Sequence, residues 1–330
     1  MSKEFRWGII STGGIATSFA RDLGFFNDHI VAAVGSRNIT SAQRFADEFP
    51  GCKAYGSYEE LVADPTIDGI YVATPHPMHH ANTILALNAG KPVLCEKVFS
   101  INAKEAKEMI DCAKKNTVMV MEAMWARFVP HMIKVREIIA SGVLGEIISV
   151  QADHGQRLAD YGNDRHWKPE LGGGALLDLG IYTASFIHMV LGVPQKITAT
   201  AALTEHGVDN SCSAIFDYAN GAQATMMTNM IAATPTAAVI AGRNGRIEID
   251  GPFYAPSSFR LVIHNGETTE YPKDYKGHGL REQAAEFARC VQSGLKESPI
   301  LTPAATLEVM VMMDEIRKQT GIKYPANKSK

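Results

Sequence analysis

No Cys-x-x-Cys pair occurs in this sequence, and its five cysteines (Cys52, Cys95, Cys112, Cys212 and Cys290) are scattered and odd in number. A disulfide frame and a cysteine zinc site are therefore not expected, whereas reduced thiols are. An excess of one charge is missing too. The formal net charge is −3 over 330 residues, too little to draw the chain to nucleic acid or an anionic membrane. No uncharged apolar run reaches the ~18 residues of a spanning helix. Met1 to Arg6 lacks the apolar stretch of a signal peptide. The expectation is a cytoplasmic protein with no nucleic-acid or membrane partner. Repeats, low-complexity segments and Pro/Ser-rich linkers are also absent. What is left is globular: 46% hydrophobic, 20% charged, and long enough for two domains with full cores.

The first third alternates short apolar runs with helix-like segments. Trp7 to Ile10, Ile30 to Val34, Ile70 to Ala73, Val93 to Cys95 and Val118 to Met121 read as buried strands. Roughly 20 residues of helical pattern separate most of them. From Asn102, for example, Glu105 fits a capping box, and Ala106, Ile110 and Ala113 recur at helical spacing. This order makes residues 1–122 an α/β domain with a doubly wound parallel sheet, a Rossmann fold.

After Glu122 the pattern changes. Strand candidates are Ile147 to Ala152, Lys196 to Leu203, Ser213 to Tyr218, Ala222 to Asn229, Ala237 to Ala241, Arg246 to Ile249 and Phe259 to Ile263. Asn220-Gly221, Asn244-Gly245 and Asn265-Gly266 are hairpin signals beside several of them. Residues 123–330 thus read as an α+β domain with a large, mostly antiparallel open sheet. One helix starts near Leu280 and stops at Gly294. The last begins with Thr302 as cap and Pro303 in its first turn, and is expected to pack back on the first domain.

The first strand runs into Ser11-Thr12-Gly13-Gly14-Ile15-Ala16 and then a helix. Against G-x-G-x-x-[GA], Ser11 replaces the first glycine, Gly13 fills the second position and Ala16 the third. A glycine at the second position lets backbone approach a pyrophosphate, and the helix N-terminus offers N–H groups and a positive dipole. A plain tight turn is the competing reading. The place of the motif in the first βα turn favours a dinucleotide. The second strand ends in Gly35-Ser36-Arg37-Asn38, with no carboxylate for a ribose 2′-OH. Ser36 and Arg37 suit a 2′-phosphate instead. The cofactor expected is NADP, with NAD as the alternative, and a solvated surface arginine is the bland reading of Arg37.

Glu96-Lys97 follows the fourth strand, where strand ends face the cofactor crevice. A lysine there can donate to a substrate oxygen and depress the pKa of a nearby tyrosine. In Gly172-Gly173-Gly174-Ala175-Leu176-Leu177-Asp178-Leu179-Gly180-Ile181-Tyr182, Asp178 and Tyr182 are four apart and share a helix face. The glycines before them suggest close passage of backbone by a ligand.

Together with Trp7 to Ala16, Tyr55 to Leu61, Leu94 to Lys97, Met121 to Phe128 and Lys296 to Pro299, this block resembles the glucose-fructose oxidoreductase / inositol dehydrogenase family (Gfo/Idh/MocA). The likeness is strongest to its dihydrodiol and NADP-dependent D-xylose dehydrogenase branch, and it spans both domains. The resemblance implies hydride transfer between NADP(H) and a sugar, polyol or diol. Lys97 is similar to the lysine of the family's Glu-Lys-Pro, Tyr182 to its general acid/base, and Asp178 to a residue that orients the substrate or the lysine. The segment Thr74, Pro75, His76, Pro77, Met78 and His79 resembles the loop under the nicotinamide ribose, with Glu96 and Lys97 at the nicotinamide end. Trp125 and Arg127 look like the start of the substrate pocket wall, joined by residues between Gln151 and Trp167. Trp167 either lines that pocket or packs beneath the sheet. Val98 departs from the family proline, whose peptide bond is often cis in relatives. Relatives pair their open sheets face to face, which implies a homodimer, possibly a tetramer; Val150, Ala152, Ile215, Met226 and Met230 are expected on that face.

Metal is not expected. His76, His79 and His80 lack a carboxylate or cysteine partner nearby in sequence and read as solvent-facing histidines at a helix start. Met119, Met121 and Met124 read as core filler. Tyr182 has a bland reading too, a buried structural tyrosine. Two functional classes remain: a dehydrogenase or reductase, and a non-catalytic cofactor- or sugar-sensing regulator on the same fold. Retention of both Lys97 and Tyr182 favours the enzyme.

Overall fold

A computed structural model describes residues 4–158 and 164–325. Residues 159–163, part of the stretch expected to line the pocket, lie outside the described residues, as do Met1 to Lys3. The chain divides into two compact units: Met1–Ser100, Lys104–Trp125 and Lys276–Leu307 form one, and Ile101–Ala103, Ala126–Tyr275 and Glu308–Lys330 the other.

The first unit holds strands β1 (Phe5–Ile10), β2 (His29–Gly35), β3 (Lys53–Tyr55), β4 (Gly69–Val72), β5 (Val93–Glu96) and β6 (Val120–Ala123). They form one parallel sheet in the order β3-β2-β1-β4-β5-β6. Helices α1 (Gly14–Leu23), α2 (Ile39–Ala46), α3 (Tyr58–Ala63), α4 (His79–Asn88) and α5 (Ala103–Asn116) connect successive strands. β1, β4, β5 and β6 are buried almost throughout, which explains their continuous apolar runs. Strand order reverses between β1 and β4, so the ligand crevice of such a sheet opens at their C-terminal ends.

Aromatic side chains fill the layer under α1. Phe19 stacks on Tyr71 at 3.8 Å and meets Trp7 edge-on at 5.2 Å. Phe287 of α8 (Arg281–Gln292) joins them, 5.4 Å from Trp7. Burying each such ring is worth about 1.5–3 kcal/mol. A division at residue 122 does not account for this helix, because the chain returns to the first unit at Lys276. Asp22 shows why. This buried carboxylate accepts the backbone N–H of His278, Gly279, Leu280 and Arg281 at 2.7–3.0 Å, capping α8 from α1. No local pattern announces so distant a cap.

The second unit contains α6 (Pro130–Ala140), β7 (Ile147–Gly155), α7 (Ile181–Leu191), β8 (Lys196–Leu203), β9 (Asp209–Asp217), β10 (Gln223–Asn229), β11 (Ala238–Gly242), β12 (Gly245–Ile249), β13 (Phe259–Ile263) and β14 (Thr268–Tyr271). The final helix, α9 (Pro303–Thr320), is capped as its sequence suggests, Ala305 N–H donating to Thr302 Oγ1 at 3.1 Å. The strands form one open sheet in the order β14-β13-β12-β11-β7-β10-β9-β8, antiparallel except where β7 meets β10. The three Asn-Gly pairs fall at the turns from β9 to β10, β11 to β12 (Gly245 opening β12) and β13 to β14.

α7 is apolar nearly all round and packs on β7 and β10. The helical stretch Pro169–Leu191 is long and apolar enough to cross a membrane, yet 83% of its apolar window is buried in the protein, as a core helix would be.

The sheet's inner face corrects one expectation. Val150, Ala152, Met226 and Met230 are buried, while Ile215 and Met227 are exposed. The register pairs Met226 with Ala152 and Ala214, and Thr225 with Gln151 and Ile215. Four of the five residues expected on the open face therefore point inward, and Ile215 alone points out. Side chains alternate strictly along a strand, so an error of one residue changes the face.

Candidate functional site

In the first unit, the turn after β1 approaches the crevice with little side chain in the way. Ser11 has φ 107°, a backbone conformation rare for a residue with a Cβ. Its N–H donates to Gly35 O at 3.0 Å, and its Oγ accepts from Gly13 N at 3.3 Å. Thr12 and Ile15 are partly exposed, and Gly13 and Gly14 are exposed. No side chain caps α1. A Cβ built on Gly14 meets nothing within 4 Å, and one on Gly13 meets only Ser11 Oγ at an ordinary 3.6 Å. The fold does not require glycine at these positions. An uncapped, positively polarised helix end with open space before it suits a pyrophosphate.

At the end of β2, Ser36 Oγ accepts from Asn38 N at 3.3 Å, and Asn38 caps α2 through Ser41 N at 3.2 Å. These bonds fix the turn that presents Arg37, which is exposed beside the Tyr58 hydroxyl. Burial raises the Tyr58 pKa and Arg37 opposes the rise. No carboxylate occupies this turn.

The loop after β4 is tighter than expected. Thr74 and His76 are buried and His79 has no exposed surface, which corrects the reading of solvent-facing histidines. His79 Nδ1 lies 2.7 Å from Val98 O, and its Nε2 lies 2.7 Å from Thr74 O. Asn82 donates to Thr74 Oγ1 at 3.1 Å, while Pro75 is exposed. Glu96 is buried and accepts from the Tyr71 hydroxyl at 2.5 Å. Burial pushes its carboxyl up to about 7, with the Tyr71 bond opposing. Both ring nitrogens of His79 and one carboxylate oxygen of Glu96 are thus engaged by protein groups. Lys97 is half-buried, and the Lys97–Val98 peptide is cis although no proline follows. Trp125 is buried, its ring 5.3 Å from His278.

In the second unit, Tyr182 sits in the first turn of α7 within an aromatic group. Its ring stacks on Tyr254 at 4.5 Å and lies 5.4 Å from His154. His154 and Tyr254 stack at 4.4 Å. Leu179 O lies 3.2 Å from His154 Nδ1 and can only accept, so Nδ1 carries hydrogen. His154 Nε2 then accepts from Gln156 Nε2 at 3.0 Å. The same Gln156 nitrogen donates to the Tyr254 hydroxyl at 2.6 Å. Position along the sequence gave no sign that β7 would supply this support.

Asp178 lies one turn earlier, in Leu176–Gly180, which winds as a π-helix before α7. Single π-turns recur at functional sites because they displace a side chain within a helix. Asp178 Oδ2 is 3.1 Å from Arg165 Nη2 and 3.2 Å from His166 Nε2. Both partners lie in the stretch from Gln151 to Trp167 expected to line the pocket, where no pattern singles them out. The glycine run is the signal that could have found them. A Cβ on Gly173 would stand 2.4 Å from His166 O and 2.7 Å from Arg165 O, and Gly174 N–H donates to His166 O at 2.9 Å. These glycines admit the protein's own 165–166 segment.

Arg127 is buried, with its guanidinium on Ser185 Oγ at 3.0 Å, Ser185 O at 2.8 Å and His188 Nδ1 at 3.2 Å. His188 Nε2 in turn lies 2.8 Å from Glu308 Oε2. This network engages the Arg127 guanidinium within the protein, on the helix that carries Tyr182. Trp167 packs against the buried cluster of Leu158, Ala175, Leu179, Val208 and Met230, the second of its two readings.

Two family profiles match the chain. "Oxidoreductase family, NAD-binding Rossmann fold" covers residues 5–124, and "GFO/IDH/MocA C-terminal domain" covers residues 132–248. The chain is 37% identical over 335 residues to trans-1,2-dihydrobenzene-1,2-diol dehydrogenase of Mus musculus, covering 98% of this chain and 99% of that one. The Xenopus laevis protein of the same name is 38% identical over 332 residues, covering 97% and 99%. Among solved structures, a 3-ketoreductase from Actinomadura kijaniata in complex with NADP and TDP-benzene superposes with a TM-score of 0.85 at 25% identity, covering 96% and 98%.

Proposed function

The chain belongs to the Gfo/Idh/MocA oxidoreductase family, and from that membership we propose that it moves hydride between NADP(H) and a hydroxyl-bearing carbon of a sugar, polyol or trans-dihydrodiol. The oxidoreductase class and an NAD(P) cofactor follow from the family itself. The observation that carries the choice of NADP is Arg37, exposed at the end of β2 in a turn without a carboxylate.

When bound, the nicotinamide supplies the hydride acceptor or donor. The N–H groups at the start of α1, beside Ser11 to Ile15, would hold the pyrophosphate, and Arg37 with Ser36 would hold the 2′-phosphate. Tyr182 takes the substrate hydroxyl proton at its Oη and returns it in the reverse direction. Lys97 stabilises negative charge developing on the substrate oxygen. Asp178 orients the substrate, its own carboxylate steadied by Arg165 and His166. A diol agrees with the names of the curated relatives, and a diol or sugar with the polar group around Asp178.

The protein is further inferred to work in the cytoplasm as a homodimer, with a tetramer as the larger option, through the open face of its second sheet. That face carries a groove of about 560 Å³, walled by Thr198, Ile215, Met227 and Val239 among others.

The test mixes purified protein with NADP+ or NAD+ and a panel of aldoses and trans-diols, following reduced cofactor by absorbance. Arg37→Ala should raise KM for NADP+ about 10- to 100-fold and leave that for NAD+ nearly unchanged, since charged hydrogen bonds are worth about 1.5–3 kcal/mol. Tyr182→Phe should cost about 10²–10⁴ in kcat. Tight cofactor binding without turnover of any panel member would point to a sensor instead.

A further inference from the structure

We propose that Asp209 is a positioning residue for the reaction, holding in place the helical turn that carries Asp178 and Tyr182. The inference rests on the reading of Tyr182 as the general acid/base. Asp209 opens β9 and has no exposed surface. Its Oδ2 accepts the backbone N–H of Leu176 at 2.7 Å, at the first residue of the π-turn that leads into α7. The N–H groups of a first turn have no partner within their own helix, so a buried one needs an acceptor from elsewhere. Asp209 supplies it from the sheet.

The surroundings are built around this carboxylate. Its other oxygen, Oδ1, has no hydrogen-bond partner among the described residues. That oxygen lies where a Cβ on Gly174 would fall, at 2.3 Å, and Gly174 itself has φ 101°. The neighbouring Tyr324 hydroxyl donates to Gly173 O at 2.8 Å, closing the glycine loop from the other side. Val208, directly before Asp209, packs with Ala175 and Leu179. Burial pushes the Asp209 carboxyl up to about 7. An acid kept in so dry a place is costly, and a residue serving stability alone could be apolar. What the acid achieves is a fixed origin for the turn. Asp178 then reaches Arg165 and His166, and Tyr182 reaches Tyr254, from one held starting point.

Two substitutions separate positioning from plain stability. Asp209→Asn keeps an oxygen for the Leu176 N–H. Asp209→Val removes the acceptor and keeps the volume. With NADP+ and either trans-1,2-dihydrobenzene-1,2-diol or D-xylose, well below the melting temperature, Asp209→Val should lose 10- to 100-fold in kcat. Its Kd for NADP+ should stay within twofold, and Asp209→Asn should stay within threefold of the parent in kcat. Should Asp209→Val fail to fold, Asp209→Ser, which is too short to reach, takes its place with the same expectation. Equal losses in the Asn and Val (or Ser) variants, or full kcat in the acceptor-less one, overturn the inference. Tyr182→Phe in the same assay keeps the two readings apart. If it retains its rate, the reading of Tyr182 fails; if it is slow while Asp209→Val is fast, only Asp209 is wrong.

Discussion

Tyr182 and Tyr254 lie ring against ring, centroids 4.5 Å apart and planes 29° from parallel. Tyr254 also stacks on His154 and accepts from Gln156, so β7 and the residue directly after it hold it over Tyr182. Aromatic pairs contribute about 0.5–1.5 kcal/mol each beyond their burial. Tyr254→Leu removes two of them and should lower kcat by about 5- to 100-fold if Tyr182 needs this support. Tyr254→Phe keeps both rings and loses one hydrogen bond worth about 1 kcal/mol, so its loss should stay under about tenfold. Steady-state rates at saturating cofactor decide. Equal losses in the two variants would remove stacking from the explanation.

How much of this was legible beforehand differs between the units. Long buried strands such as Ile30 to Val34 announce themselves by composition, and the Asn-Gly pairs mark real hairpins. The short edge strand β3 and the exposed β14 carry no such signal and are missing from the sequence reading. Ser11, Gly13, Gly14 and Arg37 are local features, one turn each, and pattern reasoning reaches them. The partners of Asp178 and Tyr182 are not local. Arg165, His166, His154 and Tyr254 meet them only through tertiary packing, and Arg127 is drawn off to Ser185 and His188 in the same way. The glycine run was read as room for a ligand, yet Gly173 and Gly174 make room for His166 and Asp209.

Gly13 and Gly14 are a different case, because among the described residues nothing occupies the space a Cβ would take at Gly14 and only Ser11 Oγ lies near it at Gly13. Gly13→Val should therefore leave the melting temperature of the cofactor-free protein within about 3 °C, a change under about 1 kcal/mol. Its Kd for NADP+ should rise at least tenfold, because the side chain would stand between α1 and the pyrophosphate. Calorimetry on both proteins gives both numbers. Unchanged affinity would move the phosphate site away from this turn.

Glu96 and Asp209 make one contribution to the pH dependence of stability, and His131, whose pKa burial lowers to about 4, makes one of opposite sign. Burial raises both carboxyls to about 7, Tyr71 opposing it for Glu96 and the Leu176 N–H for Asp209. In the unfolded chain such groups titrate near 4. Between about pH 4 and 7 the folded protein keeps protons that the unfolded chain has released. Stability from these groups is thus fully present below the window and is lost as pH rises through it. Between pH 5 and 8 the melting temperature of cofactor-free Glu96→Gln should therefore fall less, or climb more, than that of the parent. The same pH slope in both proteins would contradict the burial of Glu96.

The open sheet face offers the last test, and strand alternation makes it sharp. Ile215 is 46% exposed, whereas its neighbours Ala214 and Phe216 are buried on the other face. Opposite Ile215 across the ladder stands Thr225, with Met227 exposed two residues on. If two chains pair through this face, Ile215→Asp buries an unpaired charge in the interface, a cost large enough to separate the subunits at micromolar concentration. Light scattering should then report a dimer for the parent and a monomer for Ile215→Asp, with little change in circular dichroism. Phe216→Asp, one residue along, places its charge in the core and should not fold. A monomeric parent would refute the pairing, and a dimeric Ile215→Asp would move the interface to another surface.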